Sequence, residues 1–187
     1  MMKNPEFILI TGPMMSGKTT QLLSRLERYD LQRKTTVLFK PVVDDRYDVD
    51  SVVTHSGFKR VAVRVHDGVE LLSYLQDLEK MPDVIAVDEA FMLKSVSSTL
   101  IWLYRNGFTV LVSSLELSFK CHPLAEIVHI MPWATTIEKL TAVCAVCGAD
   151  AYYTYRKNTS ESEIVVGGHD MYEARCHTCH PIIKSEP

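Results

Sequence analysis

Residues Gly12, Pro13, Met14, Met15, Ser16, Gly17, Lys18 and Thr19 run as glycine, four residues, then glycine, lysine and threonine. That spacing suits phosphate chemistry. The glycines let the main chain curl so that successive N–H groups converge on phosphate oxygens, and a helix starting at the loop adds partial positive charge. Lys18 would reach the β- and γ-phosphates, and the Thr19 hydroxyl would ligate Mg²⁺.

A second acidic element matches it. The run DVIAVDEA ends in Asp88 and Glu89. An apolar strand closing on an aspartate is the usual partner of such a loop, its carboxylate holding Mg²⁺ directly or through water. The adjacent Glu89 can then orient or deprotonate an attacking hydroxyl. Water as acceptor would make an ATPase, and a small molecule a kinase; the residues leave both open.

Cysteine supplies the third constellation. Cys144 and Cys147 form one CxxC pair, Cys176 and Cys179 another. Two such turns make a tetrahedral S₄ site suited to Zn²⁺, structural because four protein ligands leave no open position. His177 and His180 lie near enough to substitute for Cys179, and a redox dithiol is the competing reading. The fifth cysteine, Cys121, reads as a thiol outside the quartet.

These groups need a scaffold. Phe7 to Ile10 reads as a buried strand, and Thr19 to Gln32 as a helix with Leu22, Leu23 and Leu26 on one face. TTVLFK is a second strand. Strand, glycine turn, helix, strand opens a parallel α/β sheet. The polar segment DDRYDVDSVVTHSG reads as a loop, and Asp67 as the N-cap of a helix to about Lys80. A helix is expected from Lys94 to Asn106, stopped by Gly107, then a strand over FTVLVSSLE and another over EIVHIM. The character changes near residue 140, to short β-like pieces, polar turns and cysteine pairs. We therefore expect a nucleotide-binding α/β domain over 1–139 and a small zinc-binding domain over 140–187. The tail IIKSEP reads as disordered.

Composition sets the outer limits. The 187 residues are 47% hydrophobic and 23% charged, as in globular proteins, with a net charge of −3. No basic stripe supports nucleic-acid binding. No apolar run reaches the roughly 18 residues of a membrane span, and the N-terminal stretch lacks a signal-peptide pattern; a cytoplasmic location is expected. His55, His66, His122, His129 and His169 read as surface or core histidines, and Trp102 and Tyr104 as core or subunit interface.

Taken in order, GPMMSGKTT, DDRY with THSG, VDEA, SFKCHPL, KLTAVCAVCG and VVGGHDMYEARCHTC closely resemble the motifs of the zinc-containing (type II) thymidine kinase family, across almost the whole chain. The resemblance implies transfer of the ATP γ-phosphoryl group to the 5′-hydroxyl of thymidine. It assigns phosphate and Mg²⁺ roles to Lys18, Thr19 and Asp88, the general base to Glu89, and places near the phosphates to Asp44 and Arg46. Phe119 would stack on the base, and Met14 would meet the thymine 5-methyl group, which explains an apolar side chain in a phosphate loop. Leu115, Thr154 and Tyr172 match other pocket positions. Glu163, Ile164, Val165, Val166 and Gly167 match a lasso whose backbone reads the pyrimidine edge. Homotetramers and feedback by dTTP are common in that family. Phe91 and Met92 stand where the family usually has Gln and Phe, and Leu124 where relatives often carry Phe, so a remodelled pocket is implied, with deoxyuridine a weaker substrate. A broader deoxynucleoside kinase and a nucleotide-gated zinc-binding interaction module are the rival readings.

Overall fold

The structure is a computed structural model that describes residues 4–44, 51–53, 59–157 and 170–185. β1 (Phe7–Thr11) is buried along its whole length and ends at the phosphate loop. α1 (Lys18–Leu31) follows, one residue earlier than expected, and buries Leu22, Leu23, Leu26 and Tyr29. β2 (Thr36–Pro41) leads to a segment expected to be loop throughout. Within it lies β3 (Ser51–Val53), paired antiparallel with β4 (Lys59–Val61). The expected loop is polar in composition, but tertiary contacts order part of it: the Lys40 ammonium donates to the Ser51 carbonyl at 3.1 Å and Arg60 pairs with Asp30 at 2.6 Å.

β5 (Val63–Val65) precedes α2 (Gly68–Gln76). Asp67 caps α2, its side chain accepting from the Val69 and Glu70 N–H groups, as its residue type predicts. The helix stops short of Lys80, at Gln76, because Leu78 and Met81 turn in to pack on the core. β6 (Val84–Val87) ends at Asp88, and a 3₁₀ turn spans Ala90–Met92. α3 (Val96–Arg105) ends before Gly107, which has φ +88°, the left-handed conformation that glycine supplies at a helix end. β7 (Thr109–Ser114) is wholly buried.

EIVHIM is not a strand. It lies in α4 (Ala125–Ile130) and the 3₁₀ turn after it. Ile127 and Ile130 are fully buried while Val128 between them is exposed, a spacing of three that a helix satisfies and a strand does not. Both Glu126 carboxylate oxygens also accept from α3's start, from the Ser95 and Ser97 N–H groups at 3.0 and 2.8 Å. The next strand is β8 (Thr136–Lys139), exposed at every residue but Glu138 and without the apolar run that marks its neighbours. Beyond it come β9 (Ala142–Val143), β10 (Asp150–Ala151), β11 (Tyr153–Arg156) and β12 (Tyr172–Arg175), forming two small antiparallel pairs. α5 (Pro181–Ser185) occupies most of the tail expected to be disordered. Proline tolerates a helix's first position, where no N–H bond is needed.

The main sheet has six parallel strands in the order β5-β2-β6-β7-β1-β8, the expected α/β class. Its alternating residues feed two cores. Phe7, Leu9, Phe39, Ile85, Val87, Val110 and Val112 face α2, α3 and α4. Ile8, Ile10, Leu38, Val84, Ala86 and Leu111 face α1, with Val52 and Ala62 alongside. Helices thus cover both faces, as a parallel sheet requires. Every strand's carboxyl end lies along one edge, and there the chemistry-bearing loops gather.

Candidate active site at the carboxyl edge of the sheet

The loop after β1 is shaped from its first residue. Gly12 has φ +145°, and a Cβ there would lie 2.6 Å from the Leu140 carbonyl oxygen and 2.7 Å from Ser16 Oγ. Only glycine fits such a close backbone approach. Its N–H donates to Glu116 Oε2 at 2.8 Å. Two residues on, the Met14 N–H donates to the Thr154 hydroxyl at 3.0 Å, so the loop is held from β7's exit and from β11. Gly17, φ +82°, opens α1. The Lys18 ammonium, on a nearly buried side chain, donates to the Pro13 carbonyl at 2.8 Å, which holds it over the loop.

Asp88 closes β6 beside this loop. Its carboxylate accepts from the Thr19 hydroxyl, at 3.1 Å on Oδ2, and from the Ser113 hydroxyl at the end of β7. Burial, then the Glu89 charge, push Asp88 up to about 6, with Asp44 adding and the Ser113 and Thr19 hydrogen bonds opposing. Oxygens of Thr19 and Asp88 this close suit a hard cation such as Mg²⁺. Glu89 is 8% exposed and has φ +50°, left-handed for a residue with a side chain. Such a conformation costs on the order of 1–2 kcal/mol and holds Glu89 out of line with the strand. The Phe91 N–H anchors the turn on Ser114 Oγ at 3.2 Å.

An aromatic wall stands next to it. Leu115 and Phe119 follow β7, and Leu115 is 8% exposed. The buried Arg156 guanidinium lies 4.5 Å from the Phe119 ring centre and 5.9 Å from that of Tyr172. β11 pairs Arg156 with Tyr172 and Thr154 with Ala174. The structure thus joins Met14 with Thr154, Lys18 with the loop, Thr19 with Asp88, and Phe119 with Tyr172 through Arg156. Asp44 acts on Asp88 electrostatically. Arg46, His55, His169 and the stretch Glu163 to Gly167 lie outside the described residues.

Three participants escaped the sequence reading. Glu116 carried a signal, since it is a carboxylate just past an apolar strand, as Asp88 is. Arg156 carried one too, because alternation in YTYR puts it on the Thr154 face. Ser113 carried none.

The four cysteines converge: their Sγ atoms all lie within 4.8 Å of one another, with Cys147 and Cys176 at 3.6 Å. Such spacing fits one tetrahedral Zn²⁺ with Zn–S bonds of about 2.3 Å. Ionisation is crowded among the bare thiols. Burial opposes it at Cys144, but amides of Cys176, Cys147 and Val146 bring that thiol down to about 6. Hydrogen bonds with Cys176 and Cys147, then burial, push Cys179 up to about 12. A divalent cation would resolve this competition by holding all four sulfurs as thiolates. Neither neighbouring histidine joins the quartet. His177 is exposed, and His180 is fully buried with its Nε2 turned to the Thr154 carbonyl. Burial lowers the His180 imidazole, with that hydrogen bond acting the other way. Among the described residues no helix is long and apolar enough to cross a membrane.

Comparison with known proteins bears on this geometry. The family model described as thymidine kinase matches residues 6–180. A thymidine kinase of Pseudothermotoga lettingae is 38% identical over 184 residues, covering 97% of both chains. One of Mesoplasma florum is 36% identical over 185 residues, covering 94% of this chain and 91% of its own. One of Coprothermobacter proteolyticus is 36% identical over 181 residues, covering 93% and 89%.

Proposed function

Because this chain belongs to the thymidine kinase family, and is thus an ATP-dependent nucleoside kinase, we propose that it transfers the γ-phosphoryl group of ATP to the 5′-hydroxyl of thymidine, giving dTMP in pyrimidine salvage. The observation that carries this reading is the pairing of two carboxylates: Asp88 faces Thr19 at the loop's helix start, and the buried Glu89 is turned aside by its left-handed backbone. One carboxylate serves the metal side, leaving the other for the acceptor.

In this reading Glu89 accepts the 5′-hydroxyl proton as that oxygen attacks. Lys18, the loop N–H groups not already given to Glu116 and Thr154, and Arg46 offset charge on the transferring group, with Asp44 nearby. Thr19 and Asp88 would hold Mg²⁺, which neutralises phosphate charge when bound. Catalysis is then mostly positioning and electrostatics. Phe119 stacks on the base, Met14 meets its 5-methyl group, Leu115, Thr154 and Tyr172 wall it, and Glu163 to Gly167 read its edge. A methyl contact discriminates by about 1–3 kcal/mol, so deoxyuridine is the weaker substrate. Residues 1–139 form the nucleotide-binding unit and 140–187 a unit held by structural Zn²⁺ on Cys144, Cys147, Cys176 and Cys179. A cytoplasmic homotetramer inhibited by dTTP completes the proposal.

The test is a panel of nucleosides with ATP, reading the monophosphate formed. Thymidine should lead, with deoxyuridine behind. Equal turnover of deoxycytidine would favour a broader deoxynucleoside kinase, and no monophosphate from any nucleoside would end the reading.

A further inference from the structure

His180 is the one histidine that is fully buried among the described residues, and neither the quartet nor the proposed chemistry uses it. Its place is defined from both sides. It follows Cys179 directly, and its N–H donates to the Cys176 carbonyl at 3.0 Å, so it moves with the second cysteine turn. Its ring lies 5.7 Å from that of Tyr153 and 6.0 Å from that of Tyr155. Nε2 is 3.3 Å from the Thr154 carbonyl oxygen. A carbonyl only accepts, so Nε2 carries the proton, and Nδ1 is left as the acceptor facing the Cys121 thiol at 3.9 Å.

Thr154 is a junction. His180 holds its carbonyl, while its hydroxyl accepts the Met14 N–H of the phosphate loop at 3.0 Å. Cys121 sits two residues beyond Phe119. One imidazole therefore touches β11 and the Phe119 segment together.

We propose that His180 is a positioning residue that carries the geometry of the cysteine knot, through Thr154, to Met14 and the phosphate loop, and through Cys121 to the Phe119 wall. The inference takes the zinc and thymidine reading above as its premise. Zinc on this chain then does more than hold a fold together: it sets the distance between the loop and the base pocket.

The test uses the full chain. His180→Phe keeps the packing on Tyr153 and Tyr155 but removes the donor; His180→Gln keeps a donor. With one zinc per chain in each, the Phe variant should raise KM for thymidine about tenfold with kcat changed less than threefold. The Gln variant should recover most of that loss. Both variants at wild-type KM, or both equally impaired, would overturn the relay. Hydrogen exchange on the wild-type protein, with and without a zinc chelator, decides the matter even if the Phe variant fails to fold. The peptide containing Met14 should exchange severalfold faster without zinc while the β6 peptide stays protected. An unmoved Met14 peptide, or equal loosening of β6, rejects the proposal. A wild-type enzyme inactive on thymidine would instead reject the premise, because the exchange measurement needs no substrate.

Discussion

The Gly12 N–H donates to Glu116 Oε2 across 104 positions of sequence, at 2.8 Å and out of contact with water. The other oxygen of that carboxylate pairs with the Lys139 ammonium at 3.1 Å. A carboxylate this close to a phosphate loop would repel the ligand unless its charge were engaged, and here it is engaged twice. Removing a buried partner of an N–H costs about 1–3 kcal/mol. Glu116→Ala should therefore lower stability by about that much and raise KM for ATP, whereas Glu116→Gln, still able to accept, should lose less of both. Denaturant midpoints and ATP titrations read the two effects. Equal losses in Gln and Ala would mean the acceptor does not matter.

Asp88 gives a pH dependence with a definite sign. Burial, then the Glu89 charge, raise its carboxyl to about 6. Between the ordinary carboxylate value, about 4, and about 6, the folded chain holds a proton that the unfolded chain has released. Stability falls as pH rises through that window, and the penalty is complete above it. Asp88→Asn removes it. Without added magnesium, the variant should be more stable than wild type at pH 8 by about 1–3 kcal/mol, with no gain near pH 4, and should lose turnover. Thermal unfolding at the two pH values checks this; a variant destabilised at pH 8 would contradict the assigned cause.

Glu89→Gln tests the base. The amide fills the same space but cannot take a proton, so turnover should drop by about 10²–10⁴ while KM for ATP moves less than about twofold. Nucleotide binding by calorimetry alongside steady-state rates separates the two. Wild-type turnover in this variant would remove Glu89 from the proton transfer.

Much of this was legible in the chain, and for physical reasons. The phosphate loop, Asp88 with Glu89, and the cysteine pairs are local patterns whose chemistry depends on short spacings. β1, α1, β6 and β7 announce themselves by buried apolar periodicity. EIVHIM misled because a stretch of only six residues, four of them apolar, fits either period, and only the burial of Ile127 and Ile130 on one side decides for α4. β8 escaped because an edge strand needs apolar residues on only part of its surface. Ser113, Glu116 and His180 take their meaning from partners 25 to 104 positions away. No local pattern encodes such pairings.

The cysteine knot should behave as one ligand set. Chemical analysis should find one zinc per chain, lost together with any single Cys→Ser change. Cys176→Ser, at a buried sulfur, should lower the melting temperature more than Cys147→Ser, whose residue is exposed. Cys121→Ser should leave zinc content unchanged, since Cys121 stands outside the quartet. Full zinc content in the Cys176 variant would show that three sulfurs suffice.

Arg156 sets the last expectation. Its guanidinium is buried, 4.5 Å from the centre of Phe119 and 5.9 Å from that of Tyr172, so one cation fixes two rings proposed to face the base. A desolvated cation–π contact is worth about 0.5–2 kcal/mol. Arg156→Met keeps the bulk of the stem and removes the charge, while Arg156→Lys keeps the charge but loses the flat face that stacks. If ring orientation is what matters, both variants should raise KM for thymidine, by roughly 2- to 30-fold, with KM for ATP nearly unchanged. The Lys variant should sit closer to Met than to wild type. A Lys variant indistinguishable from wild type would mean that the charge alone is needed and that the stacked plane plays no part in holding Phe119.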